Sequence, residues 1–307
     1  MPDRQTSPSE AASGSTEKRR WGVLVLEVPE PLAEELVGRL GPESTGAETA
    51  APRRGTASVR LYFETVAQAR RALRSAERVL RGMGCEPADC GLRYQEIEDG
   101  RWVERYQASL SPLDLGNRFR VHPEAGYEPG PEADGRIPLI LVPGRAFGTG
   151  EHSTTRLCVG LLEELAGAGG RWLDLGCGSG ILSLVAHHCG AEEVEALDVV
   201  LEAVRVARDV FAANGLGRRL VARVGSTKEA SRGVWDGVVA NIELSFFLRE
   251  AARLAGLITR GGVLVASGFL ECDRPEVSTA LREAGLMVVR NVVEPPWAAL
   301  VAGSAEV

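Results

Sequence analysis

Between Trp172 and Gly180 the chain reads Trp-Leu-Asp-Leu-Gly-Cys-Gly-Ser-Gly, with Asp198 following downstream. Gly176, Gly178 and Gly180 stand at alternate positions. They let a backbone pass close to a ligand and leave N–H groups at a helix N-terminus open to a carboxylate. Asp198 is spaced to accept hydrogen bonds from both hydroxyls of a ribose. A dinucleotide fingerprint would require glycine at position 181, where Ile181 stands. The spacing Asp-x-Gly-x-Gly-x-Gly therefore suits a nucleoside-like ligand without a pyrophosphate. A tight structural turn is the other use of such glycines. The apolar run 171–175 before the loop, the helical run 181–189 after it and the acid at Asp198 together favour the ligand.

Positioning these residues requires strands and helices in alternation, and the chain supplies them from residue 137 onward. Strands are expected over 173–175, 194–198, 220–224, 237–242, 263–267, 287–293 and 298–301, the last two as an antiparallel pair. Helices are expected over 154–165, 180–189, 201–214, 244–257 and 274–284. In the fourth, Leu244, Phe247, Leu248, Ala251 and Leu254 follow the spacing of a core face. This order predicts a doubly wound α/β sheet. Ligands of such sheets bind beyond the carboxyl ends of the strands, where Gly176, Asp198 and Asn241 all fall.

A smaller unit precedes it. Strands over 21–28, 57–63 and 92–97 and helices over 31–40 and 66–80 fit an α+β, ferredoxin-like fold with a further strand near 45–55. Val66, Ala69, Ala72, Leu73 and Leu80 approximate one apolar stripe on the second helix. The expected division is a disordered tail (1–20), this unit (21–96), a linker (97–136) and the α/β domain (137–307). Trp102, Tyr106 and Phe119 in the linker read as local packing, with an interdomain anchor as the other reading. Its Pro/Gly/Glu stretch, 123–135, reads as an exposed connection and a candidate hinge.

Composition narrows the function classes. No apolar run approaches a membrane span, and the first twenty residues lack the apolar segment of a secretion signal. The six cysteines form no Cys-x-x-Cys pair, so free thiols in a reducing cytoplasm are expected, and the four histidines show no metal spacing. Residues 1–96 carry 14 Lys/Arg and 14 Asp/Glu; the remainder carries 21 against 28, and so holds the whole acidic excess. That balance argues against direct nucleic-acid binding over a broad surface.

Two further segments specify the class. Pro143-Gly-Arg-Ala-Phe-Gly-Thr-Gly-Glu-His-Ser-Thr-Thr155 precedes the first α/β helix, and Ala240-Asn-Ile242 ends the fourth strand. With the glycine loop they resemble the PrmA family, the class I methyltransferases of large-subunit ribosomal protein eleven. The resemblance extends to Trp102-x-Glu-x-Tyr106 and to the small N-terminal unit, over about residues 20–303. It implies a seven-stranded class I methyltransferase sheet, S-adenosylmethionine as cofactor, and N-methylation of lysines and an N-terminal amine on that ribosomal protein, with a related methyltransferase acting on another protein's lysines as the alternative. It also implies that the N-terminal unit grips the substrate. Thr155, Gly176, Asp198 and Asn241 match the family's cofactor-binding positions. The Asn241 amide oxygen can accept from an amine of the cofactor or of the substrate. His152, Ser153 and Thr154 have helix capping as an alternative role, expected for at least one of them. Val200 departs from relatives that place a second acid there, and Glu243 stands where members vary. Glu151, His152 and Glu243 fall near the expected mouth, and none is assigned as a base.

Overall fold

The computed structural model describes residues 21–40, 44, 46–50, 55–63, 65–97, 112–123, 130, 132–141, 150 and 152–304. The tail 1–20, Trp102, Tyr106, Glu151 and the 142–149 part of the long motif lie outside the described residues.

The first sheet contains β1 (Trp21–Pro29), β2 (Gly46–Ala50), β3 (Thr56–Phe63) and β4 (Arg93–Ile97). Helix α1 (Glu30–Leu40) follows β1, and α2 (Val66–Gly82) follows β3. The order β2-β3-β1-β4, antiparallel throughout, is the ferredoxin-like arrangement, and the strand expected near 45–55 is β2. Thr65 starts α2 with a capping box: its hydroxyl accepts from the Gln68 N–H while the Gln68 side chain accepts from the Thr65 N–H. The buried stripe of α2 is Ala69, Ala72, Ala76 and Leu80; Val66 and Leu73 are only half-buried.

The span expected to be a linker, 97–136, departs from that expectation. It contains β5 (Leu113–Leu115) and β6 (Phe119–His122), and β6 pairs in parallel with β7 (Ile137–Ile140). Leu115, Phe119, Val121 and Leu139 share one core with Trp172 and Ile181. Strands this short, set among Pro, Gly and charged residues, give too few alternations to stand out in a sequence. Arg120 fastens the region by ion pairs to Asp114 at 2.7 Å and to Glu132 and Asp134 at 2.9 Å. Residues 113–122 thus pack as part of the larger unit.

That unit is built on a seven-stranded sheet: β8 (Arg171–Leu175), β9 (Glu193–Asp198), β10 (Val221–Val224), β11 (Trp235–Asn241), β12 (Ile258–Leu270), β13 (Leu286–Glu294) and β14 (Trp297–Ser304). Its order is β10-β9-β8-β11-β12-β14-β13. Strands β8 to β12 run parallel and β14 pairs antiparallel with both β12 and β13. Among the described residues its helices are α3 (Ser153–Leu165), α4 (Ile181–Cys189), α5 (Leu201–Ala213), α6 (Leu244–Leu257) and α7 (Arg274–Glu283). One core packs α3, α4 and α5 on one face of the sheet, and a second packs α6 and α7 on the other. This is the doubly wound layout expected. Strand order reverses between β8 and β11, so a crevice opens beyond their carboxyl ends. Among the described residues, no helix is long and apolar enough to cross a membrane.

Candidate active site at the carboxyl end of the sheet

A cavity of about 1090 Å³ occupies that crevice, and Thr155, Gly176, Asp198 and Asn241 all line it. Residues far apart in sequence meet there because β8, β9 and β11 are neighbours that end on the same side.

The glycine loop is stapled to the next strand. The N–H groups of Gly176 and Cys177 both donate to the Leu197 carbonyl, at 2.7 and 3.0 Å, and that of Gly180 donates to Cys177. The Gly178 N–H donates to Asp198 Oδ2 at 3.0 Å. The loop's own N–H groups at these four positions are thus engaged within the protein. Gly176 itself makes room for the Ile242 side chain. Gly176 has φ +70, and a Cβ there would fall 2.7 Å from the Ile242 Cδ1.

Asp198 ends β9 with both carboxylate oxygens fixed, since Oδ1 also accepts from the Val200 N–H at 2.8 Å. A carboxylate has about four acceptor sites, so each oxygen keeps capacity for a further donor such as a ribose hydroxyl. Beneath the loop, Asp174 is only 1% exposed and accepts from the Ser183 hydroxyl at 2.6 Å. Burial pushes its carboxyl up to about 7, against the opposing pull of that hydrogen bond.

Thr155 is the third residue of α3, whose N-cap is His152. The His152 side chain accepts from the Thr154 N–H, so capping falls to the histidine of the three candidates. The Thr155 hydroxyl is buried and has no partner, and neither has the Asn241 amide oxygen at the end of β11. Buried polar atoms without partners are uncommon and call for a physical reason.

Trp297, which sequence reasoning missed, completes this set. It begins β14, is 5% exposed, lines the cavity, and has an indole N–H without a partner. Its ring stands edge-on to His152 at 4.7 Å between centroids. Glu294, three residues earlier, accepts from the Ser153 hydroxyl at 3.0 Å and pairs with Arg156, tying this turn to the first turn of α3. A lone tryptophan after two prolines has no sequence signature. Only the antiparallel return of β14 brings its first residue to the carboxyl end of the parallel strands.

Gly268 on β12 also shapes this wall. At φ +96 its Cβ would meet the Ile242 carbonyl oxygen at 2.4 Å, so backbone packs on backbone beside Asn241. Farther out, Glu250 is buried and accepts from the Thr227 hydroxyl at 2.6 Å and from Arg253 at 2.8 Å. The Thr227 bond leads in holding its carboxyl below the usual range. Glu243 is exposed and accepts from the Ser245 hydroxyl at 2.7 Å. Arg39 of α1 and Val79 of α2 reach the same cavity.

Residues 42–304 match the family model described as ribosomal protein L11 methyltransferase (PrmA). The chain belongs to the PrmA family. PrmA relatives include the ribosomal protein L11 methyltransferase of Pelotomaculum thermopropionicum, 32% identical over 281 residues, which are 92% of this chain and 90% of that protein. The protein of the same name from Symbiobacterium thermophilum is 35% identical over 237 residues, covering 77% and 76%. Among solved structures, the ribosomal protein L11 methylase of Lactobacillus delbrueckii subsp. bulgaricus aligns with a TM-score of 0.59 at 27% identity. The alignment covers 64% of this chain and all of that one. As a PrmA member with this sheet, the chain is a class I, S-adenosylmethionine-dependent protein methyltransferase.

Proposed function

We propose that this enzyme N-methylates large-subunit ribosomal protein L11, on lysine side chains and the N-terminal amine, in the cytoplasm. The observation that carries the reading is the carboxyl-end cavity of a PrmA chain. There Thr155, Asn241 and Trp297 present buried, unpartnered polar atoms beside Asp198. The relatives' shared name supports the substrate class. The acidic excess of the α/β unit supports a protein rather than a nucleic acid as partner.

The residues fit the cofactor. S-adenosylmethionine, when bound, supplies a methyl group activated on sulfur, so the protein's share is to bind, orient and exclude water. Asp198 would accept from the ribose hydroxyls, and Gly176 admits the ligand against the backbone. The Thr155 hydroxyl would donate to the amino-acid end, and the Asn241 oxygen would accept from an amine.

The acceptor amine must arrive without its proton. A lysine of pKa about 10.4 is neutral in roughly one molecule per thousand near pH 7.4, a cost of about 4 kcal/mol. Drying the amine within the cavity disfavours ammonium and lowers that cost. No side chain is assigned as a general base: Glu243 is exposed and already engaged by Ser245. Arg39 and Val79 at the cavity support a role for the ferredoxin-like unit in presenting the substrate.

Labelled S-adenosylmethionine, offered with ribosomal proteins from cells lacking this activity, tests the reading by mass spectrometry of the modified band. Label on lysines and the N-terminus of L11 is expected. Label confined to another protein, or to RNA, sinks it.

A further inference from the structure

We propose that the indole N–H of Trp297 donates a hydrogen bond to the carboxylate at the amino-acid end of the methyl donor, with the Thr155 hydroxyl as companion donor. The assignment rests on the reading that this cavity binds S-adenosylmethionine.

Three observations converge on it. The first is the exceptional state of the indole. Trp172 and Trp235 begin or nearly begin their strands and donate to the carbonyls of Gly169 and Ser231, at 3.3 and 2.8 Å. The Trp297 N–H is equally sheltered yet donates to nothing within the protein. Buried donors are ordinarily satisfied, so a ligand atom is the natural acceptor.

The second is the engagement of the loop's own donors. The N–H groups of Gly176, Cys177, Gly178 and Gly180 are spent on Leu197, Asp198 and Cys177. Anion-binding capacity at those positions of the loop is thereby used within the protein, whereas the Thr155 hydroxyl and the Trp297 indole are buried donors on the cavity wall without a partner. Asn241 adds an unpartnered acceptor. Two donors and one acceptor complement a carboxylate with an adjacent ammonium, which is the amino-acid end of the donor. The ribose end belongs to Asp198, an acceptor.

The third is placement. Trp297 packs against His152, the N-cap of α3, and Thr155 lies in the first turn of that helix. Glu294 binds Ser153 and Arg156, so the turn leading to Trp297 and the start of α3 are held as one body. The positive end of the α3 dipole favours an anion at this spot.

Trp297→Phe keeps the ring and removes the N–H. Calorimetry on this variant would use S-adenosylhomocysteine and 5′-methylthioadenosine, which share the nucleoside and thioether but differ in the amino-acid end. Affinity for S-adenosylhomocysteine is expected to fall about tenfold or more, as for a lost hydrogen bond to a charged group. Affinity for methylthioadenosine should change less than twofold. Equal losses on both ligands mean a packing role and overturn the proposal. So does an unchanged S-adenosylhomocysteine affinity accompanied by a raised KM for the protein substrate. Should Trp297→Phe fail to fold, decarboxylated S-adenosylmethionine on the unaltered enzyme decides. It should bind at least thirtyfold more weakly than the intact donor, and equal affinity overturns the proposal. An unaltered enzyme that binds none of these nucleosides would sink the cofactor reading itself, a result distinct from the others.

Discussion

The two ends of the large sheet treat their polar groups in opposite ways. At the amino end, Asp236 accepts from the Arg171 N–H at 2.8 Å and from the Thr259 hydroxyl at 3.3 Å. The Arg171 side chain pairs with Glu193 at 2.8 Å and covers the ring of Trp235. At the carboxyl end, the Thr155 hydroxyl, the Asn241 oxygen and the Trp297 N–H are buried without partners, and Asp174 is buried as a carboxyl group that resists ionisation. One end is arranged for stability. The other presents buried polar atoms that a ligand can satisfy.

The sharpest way to expose this difference is through Asp174. Its folded-state carboxyl, near 7, lies above its unfolded value of about 3.9, so the folded protein holds the proton more tightly. Stability from this group is fully present below the unfolded value and is lost as pH rises from about 4 through 7. The loss is up to roughly 4 kcal/mol, at 1.36 kcal/mol per unit. Asp174→Asn, which can still accept from Ser183, should flatten that dependence in urea titrations at pH 5, 6 and 8. An unchanged slope would break the claim that this end is destabilised by charge burial.

Gly268→Ala should follow in size, costing about 3 kcal/mol through the added Cβ against the Ile242 carbonyl and the positive φ. Thermal melts check it, and a fall of only a few degrees would show that the wall beside Asn241 yields easily. Asp198→Ala should weaken S-adenosylhomocysteine about a hundredfold, equivalent to roughly 2.7 kcal/mol, because two charge-assisted bonds are lost. Calorimetry showing less than a threefold change would remove Asp198 from the binding set. The smallest effect belongs to the amino end. Asp236→Ala should cost about 1 kcal/mol of stability and leave S-adenosylhomocysteine affinity unchanged. Altered affinity there would erase the contrast between the two ends.

Much of this architecture was legible in the residues. The alternation of strands and helices after residue 137 has strong periodicity, and the structure carries five helices and the antiparallel β13–β14 pair as expected. The α2 stripe is legible almost in register, but Val66 and Leu73 are less buried than Ala76, on a helix whose Ala69 sits directly against Gly22 of β1. The strands of 113–122 escaped because three or four residues hold too few alternations, and their burial depends on α3 and α4 arriving from elsewhere. At the site, Thr155, Gly176, Asp198 and Asn241 were nominated from motif and strand-end position, and the fold brings all four to one cavity. Trp297 was not nominated.

Local patterning thus decided which segments become strand or helix, and the glycine spacing with Asp198 decided where a nucleoside could lie, since both are governed by neighbours within a few residues. Tertiary structure alone decided how the polar groups there are satisfied. Whether the loop's N–H groups turn to Leu197 or to a ligand, and whether an indole 120 residues downstream finds an acceptor, depends on strand order and burial. Hydrogen bonding in the crevice is set by distances between segments that no local sequence rule contains.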